Sequence, residues 1–248
     1  MITFYDLAAK DGIQTWSPNP WKTRYVLNYK KLPYKTVRLE YPDIESEYKK
    51  LGIPPSGINF DGTSLYTSPS IIDEATKTPV TDSYKIAEYL DKAYPNTPPV
   101  FPPGTEVFQA AFYDQVNELI GPLWPLLLPR IPRNLLNPPS AEYFTRTRSV
   151  LFGMPLSHAE PQGEKKIEAW QRVQVVFEII NGWLSKSSGP YFMGDTVTFS
   201  DFVIAALLDG IRICFGEESK EWKNVQTWND GRWKTFLTSL EKYANVEN

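Results

Sequence analysis

The segment YPNTPPVFPPG, residues 94–104, carries five prolines among its eleven residues. Proline fixes φ and lacks a backbone N–H, so a run of this kind makes a stiff, extended connector rather than a helix or a central strand. The hydrophobic pattern changes across it, because short strand-like and helix-like pieces alternate before it and helical periodicity follows it. The segment therefore predicts a first domain at residues 1–94, a proline-rich linker at 95–104 and a second domain at 105–248.

The first domain is predicted to follow the order β-α-β-α-β-β-α. Its predicted strands are residues 1–5, Tyr34–Leu39, Ser70–Asp73 and 79–81, and its predicted helices are residues 18–31, Ile44–Leu51 and Ser83–Ala93. Residues 51–67 are rich in glycine, proline and serine, which predicts an irregular loop. A strand–helix–strand beginning gives parallel pairing, and the last two strands pair as an antiparallel hairpin. We therefore expect a four-stranded mixed sheet with helices.

The second domain is predicted to be entirely helical. Apolar residues recur three and four positions apart in residues 105–119, 164–186 and 198–213. Four prolines break or kink the chain after the first of these helices, at positions 122, 125, 129 and 132. Thr198 followed by Asp201 is close to a capping box, which indicates the start of the last of these helices. The two halves together predict an α+β domain followed by an all-α domain.

The composition sets limits on partners and location. The chain has 248 residues, of which 42% are hydrophobic, and a formal net charge of −3. It is long enough to bury a core, and the absence of a basic block argues against a nucleic-acid partner. The sequence contains no run of about eighteen apolar residues and no signal peptide, so we expect a cytoplasmic protein with no membrane partner. The single cysteine excludes an internal disulfide and agrees with a reducing compartment.

The segment SPNPWKTR, residues 17–24, combines two prolines with a helical pattern. Ser17 suits the N-cap, and Pro18 and Pro20 fall in the first turn, where N–H groups have no intrahelical partner. Such a helix start attracts anions through its free N–H groups and partial positive charge, and it lowers the pKa of a thiol held there. Ser17 is thus a candidate for stabilising a thiolate that a second molecule brings, and simple capping is the alternative.

Two further segments are also candidates for ligand binding, each with a purely structural alternative. In TSPSIID, Pro69 directly precedes a short buried strand and is a candidate cis-proline, which would leave the Ser68 backbone free to pair with an extended peptide. In PVTDSYKIAEYLD, Asp82 and Ser83 stand where a strand passes into a helix. That helix start is a second anion site, and Asp82 is a candidate for holding an ammonium group. An ordinary trans proline and simple capping are the alternatives.

Taken together, these segments resemble the cytosolic glutathione transferases. The resemblance rests on SPNPWKTR at the first helix, SPSIID as the cis-proline strand, TDSYKIAEYLD as the glutamyl-binding turn and helix, and GDTVTFSDFVIAALL as the capped helix of the second domain. SPNPWKTR with YPDIESEYKKLGIPPSG is most similar to the fungal-specific class of wood-decay basidiomycetes, which is related to bacterial β-etherases. The resemblance implies a thioredoxin-like first domain, glutathione as co-substrate and a homodimer.

The resemblance also implies roles for residues at the first helix and at the cis-proline. Ser17 would donate a hydrogen bond to the glutathione sulfur, and Asn19 on the same turn would assist or replace it. Ser68, before Pro69, would pair through its backbone with the cysteinyl unit of glutathione. Lys22 borders this site, where packing or solvation alone would explain it.

The two ends of glutathione are assigned on the same basis. Asp82 would meet the γ-glutamyl ammonium, and Ser83 would meet the γ-glutamyl carboxylate. Lys49 or Lys50 of the second helix would meet the glycyl carboxylate, and the resemblance does not choose between them. The capping residues of the second domain match a structural motif of the family and are assigned to folding.

The chain departs from part of the family at one position. Some members carry a cysteine where this chain has Ser17, and they form mixed disulfides with glutathione. The only cysteine here, Cys214, is predicted to lie buried in an apolar helix, so thiol-exchange chemistry is not expected. The only histidine, His158, stands in a polar loop without further ligands at metal-binding spacing, so no metal site is predicted.

These observations favour a glutathione transferase that conjugates or reductively cleaves hydrophobic aromatic electrophiles, as in the detoxification of xenobiotics. A pocket between the domains would bind them, and Phe112, Tyr113 and Trp124 are candidates for its wall. Aromatic residues make up 14% of the chain, which suits an aromatic pocket as well as an aromatic core. The alternative is a ligandin, a non-catalytic binding protein for aromatic or polyphenolic molecules. A third possibility is a regulatory or scaffold protein that kept the fold.

Overall fold

A mixed four-stranded sheet forms the centre of the first domain. The computed structural model describes residues 1–59 and 61–246 of the chain. Its strands are β1 (Ile2–Leu7), β2 (Tyr34–Leu39), β3 (Gly57–Ile58), β4 (Ser64–Leu65), β5 (Ser70–Asp73) and β6 (Thr78–Thr81). Four of them pair in the order β2-β1-β5-β6, with β1 parallel to β2 and antiparallel to β5. The predicted mixed sheet is confirmed.

Three helices belong to the same domain: α1 (Pro18–Tyr29), α2 (Ile44–Leu51) and α3 (Ser83–Ala93). Together with the four sheet strands they follow the predicted order. The prediction of an irregular loop at residues 51–67 is wrong in part, because β3 and β4 form a small separate hairpin there. Strands of two residues are too short to leave an alternating pattern in the sequence.

Helices alone form the described part of the second domain, apart from short turns and isolated bridges. They are α4 (Glu106–Leu119), α5 (Trp124–Leu127), α6 (Ile131–Asn134), α7 (Pro138–Phe152), α8 (Gly163–Leu184), α9 (Phe199–Phe215) and α10 (Lys220–Leu240). The all-helical prediction is confirmed. None of the helices that the structure describes has the length and apolar content that a membrane crossing needs.

The sequence pattern indicates neither α7 nor α10, and each has a physical reason. α7 begins with two prolines and buries only Ser140 and Phe144, so its apolar stripe is too sparse to stand out. α10 is interrupted at residues 228–231, where Asn229, Asp230 and Gly231 have positive φ. A break of this kind divides the helical period into two short pieces.

A buried ion pair joins α1 to the sheet. Arg24 Nη2 lies 2.8 Å from Asp6 Oδ2, and both side chains are fully buried. Thr15 Oγ1 donates to the same carboxylate oxygen at 2.9 Å, and the Leu7 N–H donates to Oδ1 at 2.7 Å. The Asp6 carboxylate therefore fixes both α1 and the loop that leads into it from β1.

The last described residues, 243–246, return to the first domain. Arg24 Nη1 donates to Val246 O at 2.9 Å. Asn28 Nδ2 donates to Tyr243 O and to Asn245 O, each at 2.8 Å. The last described residues are therefore held against α1 by side chains of α1 itself.

The second domain meets α1 mainly through α9. The N–H and the hydroxyl of Thr198 both donate to Asp201 Oδ2, at 2.8 and 3.0 Å, which confirms the predicted capping motif. Further along α9, a Cβ atom at Gly210 would lie 2.5 Å from Cγ of Pro18. Non-bonded carbon atoms do not approach so closely, so only glycine permits this distance between α9 and the start of α1.

Gly210→Ala is expected to destabilise the protein by about 1–3 kcal/mol, which is the usual cost of overpacking. Pro18 is a rigid ring at the start of α1, so the added methyl group displaces the helix start rather than a flexible side chain. Urea unfolding measures the loss. The matched control is Gly182→Ala in α8, where an added Cβ meets nothing within 4 Å. Equal stability of the two variants would contradict the close approach.

Candidate active site

Ser17 stands at the N-cap of α1 with an extended backbone (φ −79°, ψ 132°). Its carbonyl accepts the Trp21 N–H at 3.1 Å, which begins the helix. Its side chain makes no capping hydrogen bond, and the residue is 7% exposed. Simple capping therefore does not occupy this hydroxyl, which remains available to a ligand. Asn19 is exposed on the same first turn.

The Ser68–Pro69 peptide bond is cis. The Ser68 hydroxyl is occupied, because it donates to Tyr5 O at 3.0 Å. The backbone N–H and C=O of Ser68 form no hydrogen bond with any residue that the structure describes. Backbone groups in such a position need a partner, and an extended peptide lying beside the start of β5 would supply one.

Asp82 caps α3 from an unusual backbone conformation with a φ of 85°. Its Oδ1 accepts the N–H groups of Tyr84 at 3.0 Å and of Lys85 at 3.1 Å, whereas Oδ2 forms no hydrogen bond within the described part of the chain. Positive φ at a residue other than glycine is costly and concentrates at functional sites. Ser83 is 2% exposed, and its hydroxyl also has no partner among the described residues.

These groups meet at one edge of the sheet. The register pairs Tyr5 of β1 with Ser70 of β5, and Ser70 with Thr81 of β6. The end of β1, the start of β5 and the end of β6 therefore lie side by side, with α1, the cis bond and α3 beyond them. The Asp82 N–H donates to Pro69 O at 3.2 Å, which joins two of these directly. Two helix starts and one free backbone segment thus surround a single region.

Lys49 and Lys50 lie in the last turn of α2 and are exposed. Each is paired on its own helix, Lys49 Nζ with Glu45 at 2.6 Å and Lys50 Nζ with Glu47 at 2.6 Å. The Glu45 hydrogen bond raises the pKa of Lys49. Lys49 Nζ also lies 5.6 Å from the ring centroid of Tyr66, close before the cis bond. The structure therefore places Lys49, rather than Lys50, against the loop that carries the cis bond.

The three aromatic residues predicted for a pocket wall lie in different places. The Tyr113 ring stacks on Tyr84 of α3 with 5.4 Å between centroids, so it faces the first domain. Phe112 packs on Phe192 at 4.6 Å and faces a groove of the second domain. Consecutive residues of a helix point about 100° apart, which explains the separation. Trp124 begins α5 and makes no ring contact with Phe112 or Tyr113 in the part of the chain described.

Lys22 contributes more to this region than its sequence position indicates. It is 4% exposed, and its Nζ lies 3.2 Å from the Tyr113 hydroxyl and 4.7 Å from the Tyr113 ring centroid. Solvation therefore does not explain it. The available signal is its place in α1 between the apolar residues Trp21 and Tyr25, where helical periodicity predicts a buried or half-buried face.

Cys214 and His158 lie outside the site. Cys214 is 3% exposed in α9, and burial raises the pKa of its thiol to about 12, so the predicted core cysteine is confirmed. His158 is exposed at the end of a short turn in the second domain. Within residues 1–59 and 61–246, no cluster of histidine, cysteine, aspartate and glutamate is suited to holding a metal ion.

Two family models match the chain. "Glutathione S-transferase, N-terminal domain" matches residues 16–93, and "Glutathione S-transferase, C-terminal domain" matches residues 107–243. A glutathione S-transferase of Ceriporiopsis subvermispora, solved in complex with glutathione, is 42% identical with a TM-score of 0.93, over 98% of this chain and 97% of that one. Glutathione transferase GSTFuA3 of Phanerochaete chrysosporium is 40% identical with a TM-score of 0.90, over 98% and 96%.

A further relative comes from another fungus. The glutathione S-transferase-like protein ustS of Aspergillus flavus is 33% identical over 238 residues, which is 90% of this chain and 83% of that protein. These relatives confirm the resemblance to fungal glutathione transferases and the order of a thioredoxin-like domain before a helical one. The matches cover both domains and nearly the whole length, and the chain therefore belongs to the glutathione S-transferase family.

Proposed function

We propose that the protein is a glutathione transferase that binds glutathione at this sheet edge and activates its thiol at Ser17. The observation that carries the proposal is the set of unused hydrogen-bonding groups there, namely the hydroxyls of Ser17 and Ser83 and the backbone of Ser68. Ser17, Ser68 and Ser83 are each no more than 8% exposed, and a polar peptide bound against them would supply partners for all three groups. Family members use glutathione as co-substrate, and the Ceriporiopsis relative was crystallised with it.

Each group has a definite part in binding. The free Ser68 backbone pairs with the cysteinyl unit as a strand would. Ser83, at the positive end of α3, holds the γ-glutamyl carboxylate. Asp82 Oδ2 accepts from the γ-glutamyl ammonium, while Oδ1 keeps the helix capped. Lys49, beside the loop before the cis bond, meets the glycyl carboxylate.

The start of α1 favours the thiolate form of the bound thiol. A free cysteine thiol has a pKa of about 8.5, and a helix N-terminus lowers it because unpaired N–H groups stabilise the anion. The Ser17 hydroxyl adds a donor, and Asn19 on the exposed side of the same turn assists it. Glutathione supplies the nucleophile. Its target is a hydrophobic aromatic electrophile, which binds on the Tyr113 side of α4.

Glutathione titration tests the binding part of the proposal. At a glutathione concentration 100 times the Kd, mass action raises the free energy of unfolding by about 2.7 kcal/mol. Lys49→Met should raise the Kd more than Lys50→Met, which removes the same charge one residue further on. Formation of a conjugate with a chlorodinitrobenzene tests turnover. Absence of any stabilisation by glutathione would refute the proposal, and stabilisation without conjugation of any electrophile would refute its catalytic part.

A second candidate function, carriage of aromatic molecules, is favoured by the groove that Phe112 faces. The groove has a volume of about 630 Å³ and is mostly apolar, and its lining residues are Phe108, Ala111, Phe112, Gln115, Trp183, Lys186, Ser187, Phe192 and Met193. None of them is assigned to glutathione, so a ligand there would bind independently of glutathione. Polyphenol binding that Phe108→Asp abolishes and saturating glutathione leaves intact would support carriage. Competition with glutathione would place the ligand elsewhere.

The homodimer implied by the family is also proposed here. Ile167, Val175 and Ile179 are 61%, 51% and 39% exposed, and their spacing of eight and four residues puts them on one stripe of α8. Exposed apolar stripes are typical of protein interfaces. Light scattering should give twice the mass of one chain, and Val175→Asp should shift it towards the monomer. A wild-type monomer at micromolar concentration would refute the dimer.

A further inference from the structure

Lys22 is a buried cation at the boundary between the two domains. It belongs to α1 and touches Tyr113 of α4, and no ion pair involves it among the residues described. A second buried lysine, at the C-cap of the same helix, makes the contrast clear. Lys30 is 2% exposed, and its Nζ lies 2.7 Å from Asp91 Oδ1. The lysine at the C-cap of α1 thus has a carboxylate partner, whereas Lys22 has none among the residues described.

The ammonium group of Lys22 also lacks acceptors. An ammonium carries three N–H donors. The Tyr113 hydroxyl lies 3.2 Å away and accounts for one of them, and no other hydrogen bond from Nζ is found in the described chain. Burying a charge without a counter-ion costs several kcal/mol. The missing acceptors and the missing negative charge therefore point to a ligand.

Tyr113 fixes where that ligand lies. Its ring stacks on Tyr84, the residue directly after Ser83, and meets Phe199 of α9 edge to face at 5.7 Å. The Lys22 ammonium thus lies on the side of the glutathione region that faces the second domain. The groups assigned to glutathione are the starts of α1 and α3 and the cis bond, and they do not include this position.

We propose that Lys22, positioned by Tyr113, is a specificity-determining residue that recognises an anionic group on the second substrate. The half-buried rings of Tyr113 and Tyr84 supply apolar surface beside the cation, and the fully buried ring of Phe199 packs against both of them. The substrate class is therefore an electrophilic aromatic compound that carries a carboxylate or a phenolate. This inference rests on the proposed transferase function, and it adds the charge that the electrophile carries.

A chlorodinitrobenzoate and its methyl ester test the proposal, since only the acid carries a negative charge beside the ring. The uncatalysed rate with glutathione is measured for each compound, because an ester group activates the ring more strongly than a carboxylate does. Relative to that rate, the wild-type protein is expected to have a higher kcat/KM for the acid than for the ester. Lys22→Met is expected to lower the acid-to-ester ratio about 10- to 100-fold, the range of a hydrogen bond to a charged group. Lys22→Arg keeps the charge and should retain part of the ratio. Lys92→Met removes an exposed lysine at the end of α3 and should leave the ratio unchanged.

Binding of an unreactive dinitrobenzoate to the glutathione-saturated protein gives a readout that needs no turnover. The expected result is thermal stabilisation of the wild type and its loss in Lys22→Met, with a smaller loss in Tyr113→Phe, which keeps the lysine and removes only the hydroxyl that positions it. A wild type that binds no dinitrobenzoate, or a Lys22→Met ratio equal to that of the wild type, overturns the proposal. Lys22-dependent binding without turnover of either electrophile supports the anion site and refutes the transferase function.

Discussion

Ser17→Ala is expected to lower kcat/KM for glutathione conjugation about 10- to 100-fold at neutral pH. The Ser17 hydroxyl is free of any capping bond and stands at the start of α1, so it is placed to donate to a thiolate there. A hydrogen bond to a charged group contributes about 1.5–3 kcal/mol, and about 1.4 kcal/mol corresponds to a tenfold change in rate. Steady-state kinetics at fixed glutathione saturation measure the loss.

The pH dependence separates thiol activation from general damage to the site. In the proposed mechanism the Ser17 hydroxyl lowers the pKa of the bound thiol below the value of about 8.5 for a free thiol. Without the hydroxyl the thiol ionises at higher pH, so the kcat/KM profile moves upward in pH. The two proteins should therefore converge above about pH 9, where the thiol ionises unaided. A Ser17→Ala deficit that stays constant at every pH would contradict activation.

Two further variants complete the test. Ser157→Ala makes the same change at an exposed serine in the short turn Leu156–His158, and it should leave the kinetics unchanged. Asn19→Ala should cost less than Ser17→Ala if Asn19 only assists. A full loss in Asn19→Ala with none in Ser17→Ala would make the asparagine the donor instead.

Arg24→Met is expected to lower the free energy of unfolding by about 3–5 kcal/mol, the usual result of removing one partner of a buried ion pair. The pair is fully buried, so the Asp6 carboxylate would keep only the Thr15 hydroxyl and the Leu7 N–H as donors. The substitution also removes the donor to Val246 O. Urea unfolding at neutral pH measures the change.

A double-mutant cycle shows whether the lost charge pair is the cause. Asp6→Asn with Arg24→Met leaves no uncompensated charge, so the double variant should lose less stability than the sum of the two single variants. Arg172→Met makes the same substitution at an exposed arginine of α8 and should change stability by no more than about 0.5 kcal/mol. Strict additivity of Asp6→Asn and Arg24→Met would show that the two side chains do not act as a pair.

The fold was largely predictable because its signals are local. α3 has the predicted bounds, since Asp82 caps its start and an amphipathic pattern continues to Ala93. α2 and β5 also have their predicted bounds. α7 escaped prediction because its prolines and sparse apolar residues resemble the kinked segment before it. Local chemistry thus identifies an element when one residue marks its start and a regular period follows.

The surroundings of the site were less predictable, because they depend on residues far apart in the chain. Serine at an N-cap predicts capping, yet only the folded structure shows that the Ser17 hydroxyl is unused. The burial of Lys22 depends on Tyr113, and the position of Pro18 depends on Gly210. Such contacts join separate elements and leave no period or motif in the sequence.

The return of the last described residues to α1 means that the first domain is not complete where the proline-rich linker begins. Arg24 reaches an acceptor 222 positions later in the chain. A fragment that ended at the linker would leave this buried donor and the Asn28 amide without their carbonyl partners. Heat or denaturant should therefore melt both halves of the molecule together, as one cooperative unit closed by its own C-terminal segment.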